Sequence, residues 1–251
     1  MTHLTIITGA SRGLGAAMAV QLLRPQAHLI CISRGSNERL PALAVQSGAS
    51  LDQWSLDLAD GASAAQRLSQ WLSAQPADRF SHATLINNAG VIGAMVPLRN
   101  SDPTDLARAL RVGLEAPMQL CAAFLGATRN WSGPRKILNI SSGLGRRGMA
   151  SSSAYCAAKA GMDNFTRCVA LDEATLPNGA KVCSLAPGVI DTHMQDQLRA
   201  ADPALFPDRS MFEGLHSQGQ LSSVDDAARQ VLAFLARPDF GDNPIGDVRS
   251  A

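Results

Sequence analysis

Tyr155 and Lys159 stand four residues apart in "SSSAYCAAKAG", and Tyr155 is the only tyrosine in the chain. On a helix, an i, i+4 pair shares one face, which places the ammonium beside the phenol. A free phenol ionises near pH 10 and is a poor acid or base at neutral pH. An ammonium roughly 4–5 Å away, at an effective dielectric near 20, favours phenolate by about 3–4 kcal/mol. That is a drop of roughly two to three pKa units, enough to let Tyr155 exchange a proton with a carbonyl or an alcohol. Ser142, just past the apolar run "KILNIS", is placed to hydrogen-bond the oxygen of such a substrate and steady its developing charge. Ser141 is the neighbouring alternative, turned the other way by strand alternation.

A proton donor needs a hydride donor to reduce a carbonyl, and "TGASRGLG" (8–15) offers a place for one. It follows an amino-terminal apolar run and opens a helical pattern. Gly9 permits a tight turn, while Gly13 and Gly15 let backbone approach a pyrophosphate that the helix N–H groups then face. Thr8, Ser11, Arg12 and Leu14 complete the expected contacts. At the end of the second run a carboxylate would bond a ribose 2′-hydroxyl, and an arginine would meet a 2′-phosphate. Here Ser33 and Arg34 stand at that point, Arg12 lies in the turn, and the first acidic residue is Glu38. Two guanidiniums and a hydroxyl form a phosphate cradle, so the pattern predicts NADP(H). Asp57, with Leu58 beside it, follows the third run where a carboxylate meets an adenine amino group. Asn87, Asn88, Ala89 and Gly90 follow the fourth, where asparagine ties strands together and glycine leaves room for a ribose.

The elements that must position these residues alternate along the chain. Apolar, β-rich runs at 4–8, 28–33, 51–56, 83–87, 136–141 and 181–186 are separated by helical patterns at 13–24, 61–74, 104–126 and 152–175. A last helix is signalled by "SSVDDAARQVLAFLA", with Ser222 or Ser223 as its cap. This order predicts one α/β domain over 1–251, a doubly wound parallel sheet with helices on both faces. Its ligands belong at the carboxyl ends of the strands. Residues 190–221 read as one long irregular, lid-like segment.

In this combination and order the chain resembles the classical short-chain dehydrogenases/reductases over nearly its whole length. The elements that carry the resemblance are Thr8-Gly9-x3-Gly13-x-Gly15, Asn87-Asn88-Ala89-Gly90, Ser142, Tyr155-x3-Lys159 and "PGVIDT". The resemblance implies a Rossmann-like fold of about seven strands. It also implies a centre in which Ser142 positions the carbonyl, Tyr155 is the acid/base and Lys159 tunes it and holds the nicotinamide ribose. Pro187 and Gly188 would shape the sixth turn, and Val189 and Thr192 would meet the carboxamide. One departure stands out: the helical asparagine usual in the family is Gly113 here. In the family that site bends the helix and its carbonyl holds a relay water. Glycine keeps the carbonyl, so Gly113→Asn is expected to leave activity unchanged or raise it. The ending "NPIGDVRSA", with "APGVIDTHMQ" and "EAPMQL", is similar to the sepiapterin reductase and benzil reductase branch. That likeness implies Asp247 as an acidic substrate anchor, set against a strand-capping role.

Met149, Met194 and the apolar residues of 190–221 supply flexible surface suited to hydrophobic or aromatic carbonyls. A net charge of +1 gives no case for nucleic acid or an anionic membrane. No apolar run approaches the roughly 18–20 residues of a spanning helix, and no basic-then-apolar leader opens the chain. Cys31, Cys121, Cys156, Cys168 and Cys183 form no CxxC pair and read as reduced core residues of a cytoplasmic protein, with no metal site. Small residues around Tyr155 let a second helix approach, and the family pairs the helices bearing Tyr155 and Gly113 in a homodimer, with a tetramer the further option. The expected activity is NADPH-dependent reduction of a small hydrophobic carbonyl. The alternatives are an NAD-dependent alcohol or steroid dehydrogenase and a catalytically silent NADP(H)-binding protein.

Overall fold

The computed structural model describes residues 2–250. Seven parallel strands form one sheet in the order β3-β2-β1-β4-β5-β6-β7. They are β1 (Thr2–Thr8), β2 (Ala27–Ser33), β3 (Ser50–Ser55), β4 (Phe80–Asn87), β5 (Arg135–Ile140), β6 (Lys181–Ala186) and β7 (Ile245–Asp247). The chain order reverses direction between β1 and β4, and ligands of open α/β sheets lie over such a switch. Strands covered on both faces read as continuous apolar runs; β2 is buried along Ala27–Ile32.

Two apolar layers hold the sheet. One packs Leu68, Phe80, Phe124 and Trp131 under α3 (Gly61–Ser73) and α5 (Ala116–Thr128). The other packs Met18, Leu29, Val231 and Phe240 under α1 (Gly13–Leu22) and α9 (Val224–Ala236). Local signals set the helix starts. Asp60 accepts the Ser63 N–H at 3.2 Å to cap α3, and Ser223 accepts the Asp226 N–H at 3.1 Å to cap α9. Asp102 caps α4 (Pro103–Leu110), with Pro103 in its first turn where no N–H is needed.

The sequence reading needs four corrections. α2 (Arg39–Ser47) went unread because it buries little beyond Leu40 and Ala44, too short a stripe to show a period. The pattern at 104–126 is not one regular helix: α4 runs through a π-helical turn, Arg111–Glu115, into α5. Residues 190–221 are not irregular, since they contain α7 (His193–Arg199) and α8 (Arg209–Ser217), each under three turns long. Cys168 is exposed on α6 (Ser153–Ala174) rather than in the core. No helix among the described residues is long and apolar enough to cross a membrane.

Candidate active site

The glycine turn is laced to the end of β4. Gly9 and Gly13 have φ of 70° and 58°, where side chains are strained. A Cβ on Gly15 would lie 2.2 Å from the Gly9 carbonyl oxygen and 2.5 Å from Asn88 Nδ2, so nothing larger than glycine fits. Asn88 Nδ2 donates to the Thr8 carbonyl at 3.0 Å. Thr8 Oγ1 accepts the N–H groups of Asn88 and Ala89 at 2.9 and 3.0 Å. Thr8 is therefore a buried clamp between two strand ends. α1 begins at Gly13 with no side-chain cap from Arg12, which leaves its first N–H groups for an anion. Thr192, past β6, comes within 3.8 Å of the place a Gly13 Cβ would occupy.

Beside this rim, the end of β2 is fastened to its neighbours. Ser33 Oγ donates to the Gly35 carbonyl at 2.8 Å, Ser55 Oγ to the Arg34 carbonyl at 2.7 Å, and Asn37 Nδ2 to the Ser11 carbonyl at 3.3 Å. Arg12 and Arg34 are exposed, and neither is in an ion pair among the described residues. Two free guanidiniums beside an open helix start could hold a phosphorylated dinucleotide. Asp57 is exposed and accepts the Ala59 N–H at 3.0 Å. Leu14 and Leu58 are core residues, leaving only their backbone for a ligand. Asn87 is buried and donates to Asn139 Oδ1 at 2.9 Å, so its side chain braces the sheet.

The candidate proton-transfer residues Ser142, Tyr155 and Lys159 converge at the end of β5 and the start of α6. Tyr155 and Lys159 are both buried on α6. Ser142 is half-buried and accepts the Leu144 N–H at 3.2 Å, while Ser141 is buried with its hydroxyl unpartnered. Gly90 stands close by, since a Cβ there would lie 3.8 Å from Lys159 Nζ. The electrostatics differ from the simple pairwise expectation. Lys159 Nζ is 5.7 Å from the centre of the Tyr155 ring and donates to the Ile140 carbonyl at 2.7 Å. Burial pushes the Tyr155 phenol above its usual range, and a hydrogen bond with Ser142 offsets part of that. Burial pulls Lys159 down to about 8, against the attraction of Asp163. In the protein alone, desolvation therefore outweighs the expected acidification of Tyr155 by Lys159.

Above Tyr155 lies an apolar cluster of Ile92, Met95, Met149, Leu198, Phe206 and Phe212, with Met194 against it. Phe206 and Phe212 stack with centroids 5.7 Å apart, and Ser151 Oγ donates to the Leu205 carbonyl at 2.5 Å. The 190–221 segment is thus docked onto the phenol. Asp247, at the end of β7, is held by Arg249 Nε and Nη2 at 2.9 and 2.6 Å. The geometry is that of a strand-end cap, with the carboxylate already paired.

A family model for short chain dehydrogenases matches residues 3–203. The chain belongs to that family. It is similar to a benzil reductase, (S)-benzoin forming, of Bacillus cereus: 36% identical over 243 residues, 97% of this chain and 96% of that one. A sepiapterin reductase of Rattus norvegicus is 31% identical over 247 residues, covering 94% and 92% of the two chains. Among solved structures, a metagenomic short-chain oxidoreductase in complex with NADP superposes with a TM-score of 0.71 at 25% identity, covering 98% of this chain and 94% of that one.

This short-chain dehydrogenase is accordingly an oxidoreductase of carbonyl or alcohol groups that uses a nicotinamide cofactor. Two groups of polar residues escaped the sequence reading. Asn139, inside β5, joins Asn87 to Thr166 Oγ1, the latter at 2.9 Å. The signal was an amide in the middle of "KILNIS". Asp163 pairs with Arg146 near Lys159, and the sequence reading gave Asp163 no role. Its position one turn after Lys159 could have drawn attention.

Proposed function

We propose that the chain is an NADPH-dependent carbonyl reductase acting on a small hydrophobic or aromatic ketone. The observation that carries this reading is the convergence of Ser142, Tyr155 and Lys159 beneath the apolar cluster of Met149, Phe206 and Phe212. The rim of Gly9, Gly13, Gly15, Ala89 and Gly90 holds the dinucleotide, and Arg12 and Arg34 take the 2′-phosphate. Pro187, Gly188, Val189 and Thr192 form the wall beside the nicotinamide. Bound there, NADPH supplies the hydride.

The side chains divide the remaining work. Ser142 donates a hydrogen bond to the ketone oxygen, which orients the carbonyl and favours charge there. Tyr155 gives its proton to that oxygen as the alcohol forms. A phenol kept neutral by burial suits a proton donor, so the raised ionisation of Tyr155 favours the reducing direction. Lys159 holds the ribose hydroxyls and offsets the phenolate left on Tyr155. The lid excludes water and selects apolar groups.

An apolar lining and a paired Asp247 favour a diaryl or alkyl-aryl ketone over a polar nitrogenous ring. The face of α4, the π turn and α5 exposes Leu110 (39%) and Met118 (47%), and it supports pairing with a second copy as a homodimer. The test is NADPH oxidation with benzil, isatin and sepiapterin. Turnover of benzil above sepiapterin, with NADPH preferred over NADH, is expected. Tight NADPH binding without consumption of any of the three would contradict catalysis and favour a silent cofactor-binding protein.

A further inference from the structure

Asp163 lies one helical turn beyond Lys159, and its side chain is only 3% exposed. A carboxylate that deep needs partners from its surroundings. Two separate elements supply them. Ser184 on β6 donates its hydroxyl at 2.7 Å, and Arg146, on the loop that carries Ser142, donates Nε at 3.2 Å. Arg146 also reaches the last strand. Its Nη2 donates to the Gly246 carbonyl at 2.7 Å, and its Nη1 lies 3.9 Å from Asp247 Oδ2. The same loop abuts the lysine helix, because a Cβ on Gly145 would lie 2.9 Å from the Lys159 carbonyl oxygen.

A carboxylate buried this deeply is expensive to desolvate, even with a half-buried guanidinium as its partner. The reaction proposed above has no step for Asp163, yet the only ammonium in the reaction centre is its neighbour along α6. We propose that Asp163 is a positioning residue that keeps Lys159 protonated, and that Arg146 fixes this carboxylate while joining the Ser142 loop to β7. The proposal rests on the reading of Lys159 as part of the reaction centre.

The other groups near Lys159 cannot take over this role. Tyr155 on α6 is held neutral by burial, and the Cys183 thiol on β6 is pushed up to about 12. Arg146 has the wrong sign. Asp247, at the end of β7, pairs with Arg249, and of the two carboxylates only Asp163 acts on Lys159. Burial draws Lys159 towards deprotonation, and the negative charge of Asp163 acts in the opposite sense.

The test is a direct titration of the lysine Nζ groups by NMR in the full chain, whose lysines are Lys136, Lys159 and Lys181. Lys136→Arg and Lys181→Arg assign the signals. The native Lys159 midpoint is expected near 8. In Asp163→Asn it should fall by at least about one pH unit, a tenfold gain in acidity. The alkaline limb of benzil reduction should move down by the same interval. Should the single variant fail to fold, Asp163→Asn with Arg146→Gln replaces the ion pair by a neutral hydrogen-bonding pair; because this also removes a cation, it is compared with Arg146→Gln alone, from which the Lys159 midpoint should fall by at least about one pH unit. An unmoved Lys159 midpoint in a folded variant overturns the proposal. A shifted midpoint in a protein that reduces no carbonyl sustains it and overturns the proposed reaction instead.

Discussion

Gly113 and Ala158 meet where the π turn between α4 and α5 crosses α6: a Cβ built on Gly113 lies 3.0 Å from the Ala158 Cβ. Ala158 directly precedes Lys159, so a side chain at 113 presses on the helix that carries Tyr155 and Lys159. This contact reverses the expectation drawn from the sequence, that asparagine would be neutral or helpful there. Overpacking of a close contact costs about 1–3 kcal/mol. Gly113→Asn should therefore lower both the melting temperature and kcat, and Gly113→Ala should do so less. Calorimetry and steady-state kinetics check this; an Asn variant as active and stable as the native chain would show that α6 yields without consequence.

Arg34 is exposed at the end of β2 and in no ion pair among the described residues, so its substitution should leave the fold intact. A hydrogen bond to a charged group contributes about 1.5–3 kcal/mol, or roughly tenfold to a hundredfold in affinity. Arg34→Ala should weaken NADPH by that factor and leave NADH within about twofold. Fluorescence titration with both cofactors checks it, and equal losses would remove the 2′-phosphate assignment.

At the opposite end of the sheet, His3 Nδ1 and His82 Nδ1 are 2.9 Å apart and share a proton. Burial, then His3, Arg24 and Lys136, lower His82 to about 4; burial and Arg24 lower His3. A histidine harder to protonate when folded leaves the unfolded chain binding more protons below the ordinary value of 6.5. Stability should thus be whole above pH 6.5 and fall as pH drops towards 4. Thermal melts should show a loss of a few degrees over that range, at about 2–4 °C per kcal/mol for a chain this long. His82→Asn should flatten the dependence, and an unchanged slope would place the acid sensitivity elsewhere.

The legible parts of this molecule were those with strong local signals. Six strands were legible as short β-rich runs because a sheet covered on both faces buries most of its inner strands, and Gly9, Gly13 and Gly15 announced a turn that only glycine fits. β7 spans only Ile245–Asp247 and entered as a family expectation, since three residues carry no pattern of their own. α7 and α8 were hidden for the same reason. The ionic chain from Asp163 to Asp247 joins residues far apart in the chain, through distances that no spacing encodes. The balance of charge at Tyr155 was illegible too, because the sequence suggests a neighbour but not the depth of burial that outweighs it.

In the proposed reaction the single phenol in this chain hands its proton to a ketone oxygen beneath α7 and α8. The most direct measurement of that step is benzil reduction by Tyr155→Phe saturated with NADPH, alongside NADPH binding by the same variant. Loss of a positioned proton donor should cut turnover by roughly 10²–10⁴-fold, with NADPH affinity within about twofold of native. Turnover close to native at unchanged affinity would contradict the account.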